Sequence, residues 1–203
     1  QSHLSENPGE LDWVSELMPS SSSYADAYDR LGLWGRVRTI MAHCVYSYGR
    51  EEEMLENSNI YIAHCPDSNT NLSSGMMGAR YYLERGCNIA LATDVAGGAS
   101  LSMFRAICDA VRISKLRWRH VDQDLKPLDF TSAFYMASKA GGSFFGAAGS
   151  FEPGYDADIL VLDDSRLPTM LEDLTVAERV ERYIYLNPDG SVLHKAVQGE
   201  WLF

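Results

Sequence analysis

The chain has 203 residues, of which 46% are apolar and 22% charged, the balance of a globular protein; this excludes a disordered tract or a collagen-like repeat. Lys and Arg number 17 against 28 Asp and Glu, a net charge of −11, so neither nucleic acid nor an anionic membrane surface is an expected partner. No apolar run approaches the roughly 20 residues that a bilayer span needs.

The length suits one large domain or one and a half small ones. The first residues, Gln1-Ser2-His3-Leu4-Ser5-Glu6, are polar and carry no apolar signal segment. With no initiator Met and chemically loaded side chains at the start, the chain reads as one cut in mid-domain. Residues 8–18 place Leu11, Val14, Leu17 and Met18 at helical spacing, and Pro19 with the serines at 20–23 ends that helix. Residues 36–42 form a candidate strand that stops at His43, and residues 50–56 a charged helix. A second strand, 60–63, stops at His64. Residues 76–85 read as a helix closed by Gly86 in a left-handed position. A third strand, 88–92, precedes Thr93-Asp94, and 103–116 is helical again. Strand, loop and helix repeat three times at 20–30-residue spacing, with a fourth unit begun at His3. Continuous apolar strands of this kind belong to a parallel α/β sheet buried on both faces, either half of a (β/α)8 barrel or part of an open doubly wound sheet.

Beyond residue 130 the pattern changes. Residues 131–145 read as a helical pair broken at Gly141-Gly142. Residues 159–162 read as a buried strand, and 179–186 and 192–198 as two more joined by a turn at Asn187-Pro188-Asp189-Gly190. Cys44, Cys65, Cys87 and Cys108 lie 21, 22 and 21 residues apart without a CxxC pair. They read as small buried hydrophobes of the β/α repeat, reduced as in a cytoplasmic protein.

His3, His43, His64 and Asp94 are separated by 40, 21 and 30 residues, one at each candidate strand end. Catalytic groups of β/α enzymes come from the carboxyl ends of several strands. Neutral imidazole and carboxylate are the donors a catalytic zinc takes. Singly, each residue has another reading: His3 as a tag remnant, Asp94 as a turn cap. As a set they point to a metal. Glu6, three residues past His3, can pass protons to and from a water, or can equally be a helix N-terminal carboxylate ahead of Pro8.

These residues resemble a known family. His3-Leu4-Ser5-Glu6, Met41-Ala42-His43, Ala63-His64-Cys65-Pro66-Asp67-Ser68-Asn69 and Thr93-Asp94-Val95-Ala96-Gly97-Gly98 are similar, in order, to the motifs of the amidohydrolase superfamily in its cyclic-nucleobase deaminase branch. Phe151-Glu152-Pro153-Gly154-Tyr155-Asp156-Ala157-Asp158 resembles that family's return into a small β-sandwich. The resemblance implies the C-terminal half of a (β/α)8 TIM-type metal-dependent hydrolase barrel over residues 1–148, and part of the sandwich over 149–203. It implies hydrolytic deamination of guanine to xanthine and ammonia with one zinc, iron being the alternative metal. The motif at residues 68–75 and the Thr-Asp-Val-Ala-Gly-Gly form carry the guanine assignment. His3 and Asp94 match metal ligands, and His43 matches the histidine that bonds the attacking water or the substrate. Glu6 matches the proton shuttle. His3, Glu6 and Asp94 line the substrate, and Asp94 assists in deprotonating the water. His64 is equally a pocket residue or a support for the loop before Pro66, while His120 and His194 match no motif.

The family's His-x-His pair on its first barrel strand has no counterpart here. The expectation is therefore a C-terminal half that is catalytic only with the missing strands, a homodimer when complete. The alternatives are a relative acting on a triazine, a pyrimidine or a purine nucleoside, and a non-catalytic half-barrel used for assembly.

Overall fold

The computed structural model describes residues 1–56, 58–170, 173–186 and 192–203. The first strand, β1 (Ser2–Leu4), leads into α1 (Pro8–Leu17). Pro8 starts that helix, and the Asn7 side chain accepts the Glu10 backbone N–H at 3.0 Å. Ser23, which reads from sequence as part of a helix stop, instead caps a second helix, α2 (Tyr24–Arg30), by accepting from Asp26. Then follow β2 (Thr39–His43), α3 (Arg50–Glu56), β3 (Ile60–His64), α4 (Pro66–Asn71), α5 (Ala79–Glu84), β4 (Asn88–Leu91) and α6 (Met103–His120). Helix α4 was not expected. Its signal is Pro66 at the first helical position, which the helix tolerates because the N–H there has no partner to lose.

Strands β1 to β4 form one parallel sheet in chain order. The register sets His3 beside Ala42, Leu4 beside His43, and His64 beside Leu91. The carboxyl ends of the strands thus lie along one edge. Met41, Ile60, Ile62 and Ile89 are buried in the core beneath it with Leu55, Ile107 and Val111 of the covering helices. This is the parallel α/β architecture expected, four successive β/α units. The four cysteines are all free and buried, as their apolar surroundings imply.

The remainder departs from expectation in two places. Residues 130–142 form one helix, α7 (Phe130–Tyr135), that runs on through a π-helical turn (Met136–Ala140) across Gly141-Gly142, so no break occurs there. Residues 179–186 are not a strand. They lie in α8 (Val176–Leu186), whose Val180, Tyr183 and Ile184 recur at helical spacing. Thr175 and Glu178 cap each other reciprocally, with Thr175 N–H donating to Oε2 at 2.8 Å and Glu178 N–H donating to Oγ1 at 3.3 Å. That Thr-x-x-Glu box outweighs the β-branched and aromatic residues that favour a strand. Tyr183 and Ile184 are buried, and Tyr183 packs edge-on against Phe104 of α6. A three-stranded antiparallel sheet, β5 (Ile159–Val161), β6 (His194–Val197) and β7 (Glu200–Trp201), completes the described fold. The expected turn at residues 187–190 lies outside the described residues.

Candidate active site

The carboxyl edge of the parallel sheet brings four of the sequence candidates together around His43. That imidazole ends β2, is buried with its side chain 1% exposed, and sits at φ 77°, in the left-handed region that non-glycine residues rarely adopt. Asp94 (φ 45°) and Ser5 (φ 48°) share that conformation. Cys44 (φ 49°) does so too, and backbone held there at four places along one edge costs stability that the surrounding structure must offset. His43 Nε2 lies 3.6 Å from Glu6 Oε2 and 3.9 Å from Asp94 Oδ2. His3 Nδ1 lies 4.0 Å from Glu6 Oε2, and the His3 ring meets the His43 ring edge-on at 4.8 Å.

Donor atoms of His3, Glu6 and His43 fall within 4.8 Å of one another, and so do those of His43, Cys65 and Asp94. His43 belongs to both triads, and His3 and Asp94 share neither. The imidazole thus stands between the two residues that the sequence reading makes ligands. Its Nε2 is buried and has no hydrogen-bond partner, though it faces two carboxylate oxygens. An orphaned buried nitrogen among acceptors is costly. A cation or a proton-bearing water in that space relieves it, and the nitrogen and oxygen donors present suit zinc. The fit therefore holds for these residues. Cys65 is a weaker donor: burial, then the charge of Asp94, pushes its thiol up to about 12.

Each of the three central side chains is gripped from one direction. Ser74 Oγ donates to Glu6 Oε1 at 2.6 Å, Asn69 Oδ1 lies 2.8 Å from His43 Nδ1, and Ser68 Oγ donates to Asp94 Oδ2 at 2.6 Å. The loop after β4 is tied to the same helix: Asp67 Oδ2 accepts the Ala99 N–H and Asn71 donates to the Gly97 carbonyl. On the other side, Ser5 donates to the buried Glu51 carboxylate, which also accepts the Ala25 N–H. The sequence reading gives residues 68–75 only as a family motif, with no role for Ser68, Asn69 or Ser74; that motif is the signal, and the structure buries all three.

His64 closes β3 but joins neither triad. Burial, with the charge of His43 adding to it, lowers its pKa to about 4, and its Nδ1 has no partner. His194 packs edge-on to Trp201 in the antiparallel sheet, away from these residues, and His120 ends α6.

A parallel β/α sheet that gathers imidazoles and carboxylates along its carboxyl edge defines a β/α enzyme-type scaffold with its chemistry at the strand ends. The amidohydrolase family model matches residues 1–202, and the chain belongs to the amidohydrolase family. It is 33% identical to a guanine deaminase of Dictyostelium discoideum, over 98% of this chain and 45% of that protein. A crystal structure of guanine deaminase from C. acetobutylicum with guanine in its active site superposes with a TM-score of 0.94 at 45% identity, covering all of this chain and 48% of that one. The E. coli guanine deaminase structure gives 0.86 at 27% identity, over all of this chain and 48% of that chain. The chain thus spans about half the length of the relatives it matches.

Proposed function

We propose that the protein carrying this chain deaminates guanine by hydrolysis, giving xanthine and ammonia, with zinc as its metal. The observation that carries the reading is His43 Nε2, buried and unpartnered, facing the Glu6 and Asp94 carboxylates at 3.6 and 3.9 Å. The relatives that align over the whole chain, one of them solved with guanine bound, support the choice of substrate.

His3 and Asp94 would hold the metal, together with ligands from beyond these residues, since two ligands fall short of the usual protein set. A bound cation supplies the acidity that turns water into a nucleophile near neutral pH. Glu6 takes a proton from the attacking water and delivers it to the ring nitrogen beside the amine-bearing carbon. The carbon–nitrogen bond to the exocyclic amine then breaks, and the amine leaves as ammonia after a second proton transfer. His43 orients the water or the substrate, and Asp94 assists the first deprotonation. In this reading residues 1–148 supply four units of an eight-unit barrel, and 149–203 supply strands to a second, β-rich unit.

A panel of guanine, adenosine, a triazine and a pyrimidine given to the zinc-loaded full-length protein tests the assignment. Guanine turnover, seen as xanthine formation, should exceed the others by at least about tenfold. Faster turnover of another ring would move the protein within its family, and no turnover of any would remove the catalytic reading.

A further inference from the structure

Residues 68–74, the end of α4 and the turn after it, reach all three central side chains although these come from three different strand ends. Asn69 bonds His43, Ser68 bonds Asp94, and Ser74 bonds Glu6. The three gripping residues are buried, none more than 2% exposed. The segment is itself closed tightly: the Ser74 and Gly75 N–H groups both donate to the Asn69 carbonyl, and the Leu72 N–H donates to that of Ser68. Movement of this one turn would therefore shift Glu6, His43 and Asp94 together.

We propose that residues 68–74 are a single positioning element for the deamination site, in which Asn69 fixes the tautomer of His43 and Ser74 fixes which oxygen of Glu6 faces it. This rests on the guanine-deaminase reading above. With Asn69 Oδ1 at 2.8 Å, Nδ1 of His43 carries the proton and Nε2 presents its lone pair to the space shared with Glu6 and Asp94. Ser74 occupies Oε1 of Glu6 and leaves Oε2 on the His43 side, 3.6 Å away. Ser68 differs, because the Asp94 oxygen that it holds, Oδ2, is also the one nearest His43. Supports of this kind set ring orientation and ligand basicity, and their loss typically costs about 10–100-fold.

The test uses the zinc-loaded full-length protein and the variants Asn69→Leu, Asn69→Asp and Ser74→Ala. Measurements are kcat and KM for guanine, bound zinc, and the imidazole 15N signals of His43. Asn69→Leu keeps the volume and loses the acceptor; kcat should fall about 100-fold with KM within about threefold, and the 15N signals should move toward a mixture of tautomers. Asn69→Asp keeps an acceptor at the same atom and should restore the single tautomer and most of kcat. Ser74→Ala should lower kcat about tenfold with zinc retained. A wild-type His43 protonated at Nε2 overturns the proposal, as does an Asn69→Leu protein that keeps its kcat or a loss that Asn69→Asp does not recover. If Asn69→Leu does not fold, the wild-type tautomer and the Asp variant still decide. Should the wild type turn over no guanine, the functional reading fails while the 15N signals continue to judge the positioning role.

Discussion

The two sheets of this chain handle polar groups in opposite ways. The parallel sheet buries His43, His64, Ser68, Asn69 and Glu6 at or near its carboxyl edge, and Ser5, His43, Cys44 and Asp94 at that edge sit in left-handed backbone conformations. In the antiparallel sheet β5–β7 no polar side chain is buried: His194 and Glu200 are exposed and Lys195 half-buried, and large apolar residues such as Leu160 and Trp201 are exposed as well. A protein tolerates buried polar groups and strained backbone where surrounding structure fixes them. Under the proposed function the chemistry belongs to the first sheet, and the second has no comparable cluster of buried polar side chains among the described residues.

The largest test of that division removes a carboxylate from the edge. Asp94→Ala should abolish zinc binding and guanine turnover together in the full-length protein, read by metal analysis and xanthine formation; turnover that survives would move the chemistry elsewhere. A subtler break adds one methyl group. A Cβ on Gly97 would meet Ser68 Oγ at 2.7 Å and Asp94 Oδ2 at 2.9 Å, so Gly97→Ala has to displace the hydrogen bond that holds Asp94. Turnover should fall by about tenfold with the fold retained, as second-layer disturbances do. A Gly97→Ala protein with native kcat would show that this grip is dispensable.

How much of this was legible in the sequence depends on the kind of signal. The parallel strands announced themselves as apolar runs ending on His or Asp, and His3, Glu6, His43 and Asp94 do meet at one edge. Their mutual arrangement was not legible, because spacing along the chain says nothing about which imidazole stands in the middle; that is fixed by the register of β1 on β2 and by the left-handed turn at His43. Helix α4 escapes the sequence reading because Pro66-Asp67-Ser68-Asn69-Thr70-Asn71 has no apolar residue after Pro66 to set an amphipathic period. Helix α8 reads as a strand over residues 179–186 because Val180, Tyr183, Ile184 and Tyr185 have β propensity, and tertiary packing on α6 overrides propensity. The Thr175-x-x-Glu178 capping box is the sequence signal that favours the helix.

Two smaller effects sharpen the contrast through stability. Burial, with the His43 charge beside it, holds the folded His64 imidazole down at a pKa of about 4, against the ordinary 6.5. As pH falls the unfolded chain takes up the proton first, so stability is full above about pH 6.5 and is lost as pH drops toward 4. By about pH 5 the loss should be on the order of 2 kcal/mol. Urea midpoints at neutral pH and near pH 5 measure this, and in His64→Gln that part of the slope should vanish. On the other side of the molecule, Thr175→Ala removes one half of the α8 cap. The melting temperature should drop by about 2–4 °C with guanine turnover unchanged; a loss of turnover would tie α8 to the site after all.

The most direct measurement of the central claim is Glu6→Gln, with zinc content and xanthine formation read on the same sample of the full-length protein. The glutamine keeps the shape and the bond from Ser74 but cannot carry a proton. Turnover should fall by about 10²–10⁴-fold with zinc retained. A Glu6→Gln protein that forms xanthine at the wild-type rate would contradict the account.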